Sequence, residues 1–141
     1  MPALKVFLII FCIFNTLCSW CDDPISGPDV PEGSYTYSAF DTTGVKVITG
    51  WMTIVFDDSV NVSGQWKFEK IGNPEIIGPQ VGSGNLSGIY NEPQISINLN
   101  PNWVDNNVFL HGDYSEEKIE GEWMYAGFPG VINEGAFKAV K

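Results

Sequence analysis

Few side chains in this 141-residue chain have the types and spacing that chemistry requires. His111 is the single histidine, so any Ser-His-Asp or Cys-His set has to be built around it. It falls out of phase with Val108, Leu110 and Gly112, which puts it on the outward face of a strand. The three cysteines, Cys12, Cys18 and Cys21, all stand near the N-terminus. The remainder therefore offers neither a thiol nucleophile nor a Cys/His zinc cluster. The acidic pairs Asp57-Asp58 and Glu116-Glu117 lack the spacing of a calcium loop and read as solvated turns. A paired-carboxylate hydrolase needs two acids converging on a cleft, whereas Glu69, Glu120 and Glu122 read as outward on their strands. No glycine-rich phosphate loop precedes a helix. The expectation is a non-enzymatic protein with no catalytic residue, no metal and no cofactor. Asn61-Val62-Ser63 and Asn85-Leu86-Ser87 match the N-glycosylation pattern, which matters only in a eukaryotic secretory pathway.

Charge narrows the partners further. The chain carries seven lysines, no arginine and seventeen acids, a net charge of -10. Only Lys5 among these precedes Cys21, so a chain cut there holds six lysines against seventeen acids. Such a surface repels phosphate backbones and anionic lipid, so nucleic acid is not an expected partner.

Residues 1–20 read as a signal peptide. One positive charge, Lys5, precedes the apolar run Val6 to Phe14, which is too short to span a bilayer. Cys21 follows, then Asp22-Asp23-Pro24 and a stretch rich in proline, glycine and aspartate. That order of apolar run, cysteine and polar tether resembles the start of an exported bacterial lipoprotein. The resemblance implies lipidation at Cys21, a tether over residues 21–32, and anchorage in the cell-envelope membrane. The usual leucine and small residue before such a cysteine are replaced by Cys18 and Trp20. A cleaved, secreted protein and an uncleaved anchor are the alternatives.

From residue 33 to 141 the chain alternates short strand patterns with turn residues, without a helical period. Eight strands are expected, at about 34–41, 45–56, 62–70, 81–91, 94–99, 107–115, 118–125 and 135–140. A Gly-x-aromatic step recurs in them, at Gly33-Tyr35, Gly64-Trp66, Gly88-Tyr90, Gly112-Tyr114, Gly121-Trp123 and Gly135-Phe137. Consecutive short strands favour a meander, and eight can close into a barrel without edges. Glycines on the concave face let strands bend, and a neighbouring aromatic covers the gap. The fold expected is an all-β, eight-stranded antiparallel up-and-down barrel. A two-sheet sandwich is the competing arrangement. The predicted barrel interior holds Trp66, Phe68, Leu86, Tyr90, Ile97, Leu110, Tyr114, Trp123, Tyr125 and Phe137.

Strand order and the Gly-x-aromatic spacing resemble the calycin group, the lipocalins and avidins. The resemblance covers roughly residues 33–141 at the level of architecture. It implies a barrel that binds something small and apolar. The first strand carries Gly33-Ser34-Tyr35 where a lipocalin has Gly-x-Trp, and no residue of an avidin ligand site can be carried over.

In a meander barrel, alternate connections share one end. Links one-two, three-four, five-six and seven-eight fall together, and three of them read as long. They carry Ile71, Ile76, Ile77, Trp103, Val104, Phe128, Val131 and Ile132, apolar residues that call for a reason in loops. Either they plug the barrel or they form the mouth for a small apolar ligand or a protein partner. The other end is short-linked and acidic, and the tether should leave from it. The reading is thus an exported, lipid-anchored binding module. A filled structural or interaction barrel is the alternative, and a barrel-cavity enzyme a remote one.

Overall fold

The computed structural model describes residues 30–141, so Cys21 and the leader lie outside the described residues. The described strands are β1 Tyr35–Phe40, β2 Lys46–Met52, β3 Val55–Phe56, β4 Asn61–Lys70, β5 Gly82–Asn91, β6 Gln94–Asn98, β7 Asn107–Tyr114, β8 Lys118–Gly127 and β9 Gly130–Val140. Every neighbouring pair is antiparallel, in the order β2-β1-β9-β8-β7-β6-β5-β4-β3, and β2 also pairs with β4. That last pairing closes the sheet. β2 and β3 are two pieces of one expected strand, so the fold is the eight-stranded meander barrel. No helix occurs among the described residues.

Two boundaries differ from expectation. The second strand was expected to run unbroken over 45–56, but it kinks at Thr53-Ile54. The Gln65 amide there donates to the Thr53 hydroxyl at 2.9 Å instead of to the Thr53 carbonyl, which lies against Gly64. A side-chain oxygen replaces a rung of the ladder, and the strand turns out of plane. The expected loop over Ala126–Glu134 is also wrong. β8 and β9 pair down to Gly127 and Gly130, leaving only Phe128 and Pro129 at the tip. Gly127, Pro129 and Gly130 read as loop punctuation, yet Gly130 at φ +109° closes a tight hairpin. Val131 and Ile132 are therefore strand residues, and two long connections stand at that end where three were expected.

The inward phases follow the sequence reading except on the second strand, whose two apolar faces left its orientation open. Tyr35, Tyr37 and Ala39 of β1, Ile48 and Met52 of β2, and Ile95 and Ile97 of β6 are buried. So are Val108 and Leu110 of β7 and Ile119 and Trp123 of β8. Among the expected interior residues, Trp66, Phe68, Leu86, Ile97, Leu110, Trp123 and Phe137 are buried, while Tyr90, Tyr114 and Tyr125 are half-buried against that core. The first two tyrosines meet Phe56 edge-on at the acidic end, at 5.3 and 5.2 Å between ring centroids, and each other at 5.4 Å.

Glycines and aromatics divide the work as expected. Gly50 stands opposite both Tyr37 and Phe68. With no side chain between them, the two rings stack at 4.0 Å and 9°. Trp66 lies over Gly84 and Trp123 over Gly135, each across one ladder rung. The rings close the gaps that the missing side chains leave, and the barrel axis is filled with side chains.

Four buried side-chain polar atoms among the described residues lack a partner: the Tyr37 hydroxyl, the Trp51 indole N–H, and the side-chain carbonyl oxygens of Gln80 and Asn107. The Tyr37 hydroxyl is fully buried and makes no hydrogen bond, and burial pushes its ionisation above the ordinary phenolic range. A buried, unpaired hydroxyl costs about 1–3 kcal/mol. Tyr37→Phe is therefore expected to leave stability unchanged or raise it by about 1 kcal/mol in urea denaturation. A loss above about 1 kcal/mol would mean that the hydroxyl has a partner after all.

Candidate functional site

The long-loop end gathers most of the exposed apolar surface that the sequence singled out. The Ile71–Val81 connection is held over the barrel by its own polar groups. Gln80 is fully buried, and its side-chain amide donates to the Ile77 carbonyl at 2.7 Å. Asn100 reaches across from the next long connection and donates to the Pro79 carbonyl at 3.1 Å. Gly78, at φ +67°, packs under the Tyr125 ring. Ile77 turns inward against the core. Ile77 and Gln80 thus act as a stopper, which is the plug reading in part.

Ile76 behaves differently. It is 58 % exposed and holds φ at +53°. A β-branched residue is rarely found in that left-handed region, and the strain is on the order of 1–3 kcal/mol. The Asn133 side-chain amide donates to its carbonyl at 2.9 Å and ties the loop to β9. The strained turn points an isoleucine into solvent.

The 99–106 connection is braced in the same way. Trp66 donates its indole N–H to the Leu99 carbonyl at 2.8 Å. Asn107 donates to the Trp103 carbonyl at 3.1 Å, and the Asn100 side-chain oxygen accepts from the Val108 amide. This frame leaves Trp103 at 53 % and Val104 at 94 % exposure. At the β8–β9 tip Phe128 is 91 % exposed, and Ile132 leans back over Gly127. Ile71 and Val131 are also exposed.

Of the eight rim residues expected from sequence, seven therefore face solvent at this end and Ile77 alone turns in. They sit on three separate projections. A cleft of about 360 Å³ lies between the β1–β2 turn and the Ile71–Val81 connection. Val45, Val47, Ile71, Ile77 and Trp123 line it, with Lys46, Asp41 and Glu75 at its edge. The Asp41 carboxyl is held below its usual range by the Thr43 side chain and by backbone N–H groups, as in any tight Asx turn. The sequence reading missed Gln80, because a lone glutamine in a loop carries no burial signal.

β1 begins at the opposite end, where the Tyr35 hydroxyl donates to the Glu116 carbonyl at 3.0 Å. Before the turn at Pro31–Ser34, Val30 lies on the outer face near Trp51. The acidic links Asp57-Asp58, Glu92-Pro93 and Glu116-Glu117 share that end. His111 points outward from β7, and among the described residues no cluster of three His, Cys, Asp or Glu side chains is placed to hold a metal. Comparison of the chain with protein-family models, curated proteins and solved structures finds no match.

Proposed function

We propose that this protein is a non-enzymatic interaction module that docks a protein partner through the apolar rim at its long-loop end. The carrying observation is the exposure of Phe128, Val104, Trp103 and Ile76 on three braced projections above a barrel filled by its own side chains. The stacked Tyr37, Phe68 and Phe137 rings occupy the barrel interior, which supports reading the apolar surface as one that acts from outside. Large aromatics with few charges among them match the centre of a protein interface. Export and a lipid anchor at Cys21 are part of the proposal and rest on the leader sequence. The tether would give the rim reach from a membrane. The cleft beside Trp123 supports a second reading, a small apolar ligand held at the rim, since its volume falls at the lower end of ligand pockets.

Site-specific photo-crosslinking in intact cells tests the proposal. A crosslinker at position 128 is expected to yield a discrete protein adduct, and one at position 120, on the outer wall, to yield none. Trp103→Asp should reduce the adduct by about tenfold while the unfolding midpoint stays put, the size of one interface anchor. Equal labelling from both positions would refute a specific rim. Retention of the purified protein on phosphatidylcholine vesicles, lost in Phe128→Asp, would mean that the rim meets lipid instead.

A further inference from the structure

A second surface lies on the outer wall, away from the rim. The strand register sets two rows of outward side chains side by side across β4 to β7. Ser63 faces Ser87, Ser87 faces Asn98, and Asn98 faces Phe109. In the adjacent row Ile89 faces Ser96, and Ser96 faces His111. Short side chains thus floor the middle, and larger ones stand at the β7 side. The result is an open groove of about 560 Å³. It spans three inter-strand spacings, roughly 14 Å.

Its chemistry differs from the rest of the wall. On β8 and β9 the outward positions carry Glu120, Glu122, Glu134 and Lys138. In the two rows there is no lysine and no carboxylate. Asp57, at the groove's edge, is engaged by the Ser63 hydroxyl at 2.9 Å. The Ser96 hydroxyl and His111 Nδ1 lie 2.9 Å apart, and the Phe109 and His111 rings stand nearly parallel at 16°. The groove therefore offers hydroxyl and amide donors and acceptors beside a partly exposed aromatic pair and one aliphatic side chain.

That composition selects among ligands. An anion finds no cation here. A protein interface favours large aromatics, methionine and arginine and is poor in serine, the reverse of this floor. A neutral sugar presents hydroxyls along its edge and C–H groups on its face. The first suit serine, asparagine and histidine, and the second suit an aromatic ring. We propose that this groove is a binding site for a neutral oligosaccharide, with Phe109 and His111 as the stacking wall and Ser87, Ser96 and Asn98 as hydrogen-bonding floor. The site uses none of the rim residues, so it stands or falls independently of the rim.

The test is a two-dimensional NMR titration of the full chain in detergent, with maltohexaose, cellohexaose and chitopentaose as probes at millimolar concentration. At least one probe is expected to shift the amide resonances of Ser87, Ser96 and Asn98. Ser87→Arg places a long side chain in the groove from an exposed position. It should weaken that binding on the order of tenfold or more without moving the unfolding midpoint. Phe109→Ala should weaken it similarly. The inference is overturned if no probe shifts these resonances, if the shifts centre on Trp103 and Phe128, or if Ser87→Arg binds as well as the parent.

Discussion

Gly121→Ala is expected to destabilise the barrel by about 3 kcal/mol, the upper end of what overpacking usually costs. Gly112 and Gly121 face each other across β7 and β8. A Cβ on Gly121 would lie 2.5 Å from the Gly112 Cα and closer still to the His111 carbonyl oxygen. Both obstacles are backbone, so no side chain can swing aside. The two strands must separate at this rung. Because the sheet is closed, that separation strains pairings further around the ring. Gly127→Ala is the matched control: the one tight contact of its Cβ would be the tip of the Ile132 side chain, at 2.9 Å. Urea denaturation followed by tryptophan fluorescence measures both. If Gly121→Ala cost no more than Gly127→Ala, the close approach of β7 and β8 would not be a feature of the folded protein in solution.

Trp123→Ala should cost about 3–5 kcal/mol, a large fraction of the 5–15 kcal/mol that holds a typical domain folded. The indole is fully buried, covers Gly135 and donates its N–H to the Phe40 carbonyl at 2.9 Å. Its removal opens a void and strips a carbonyl of its partner. Trp123→Phe separates the two effects. It keeps most of the volume and loses the hydrogen bond, so a loss of about 1–3 kcal/mol is expected. A near-zero loss in Trp123→Ala would show that the barrel axis is loosely filled, and an internal ligand would again be a live reading.

The candidate surfaces were legible to different degrees. Parity of the connections placed the apolar loop residues together, and the hydrogen bonds from Asn100 to Pro79 and from Asn133 to Ile76 join them at one end. Parity could not say which of them would turn inward. Ile76 and Ile77 are adjacent and chemically identical, yet one faces solvent and the other the core. The left-handed backbone at Ile76 and the clamp from Asn133 decide that, and neither has a local sequence signal. The outer groove was not legible at all. Its members come from four strands, and each alone is an ordinary outward side chain.

The chain by itself pointed to most of the strands and their inward faces, and to a meander of eight that could close. Alternation is a property of neighbouring residues, and the Gly-x-aromatic steps repeat it with curvature built in. Gly121-Glu122-Trp123 read as glycine for curvature and indole for filling. The tertiary structure alone decided the rest. It moved Val131 and Ile132 from a loop into a hairpin, because Ala126 and Tyr125 were available across the turn to pair with Val131 and Asn133, with Ile132 at the shift of register between them. It broke the second strand where the Thr53 hydroxyl could stand in for a carbonyl. It set Tyr37 on Phe68 over Gly50, which packs two rings into the barrel interior. Register, stacking and the choice between Ile76 and Ile77 depend on residues far apart in the chain, and only closure of the barrel brings those together.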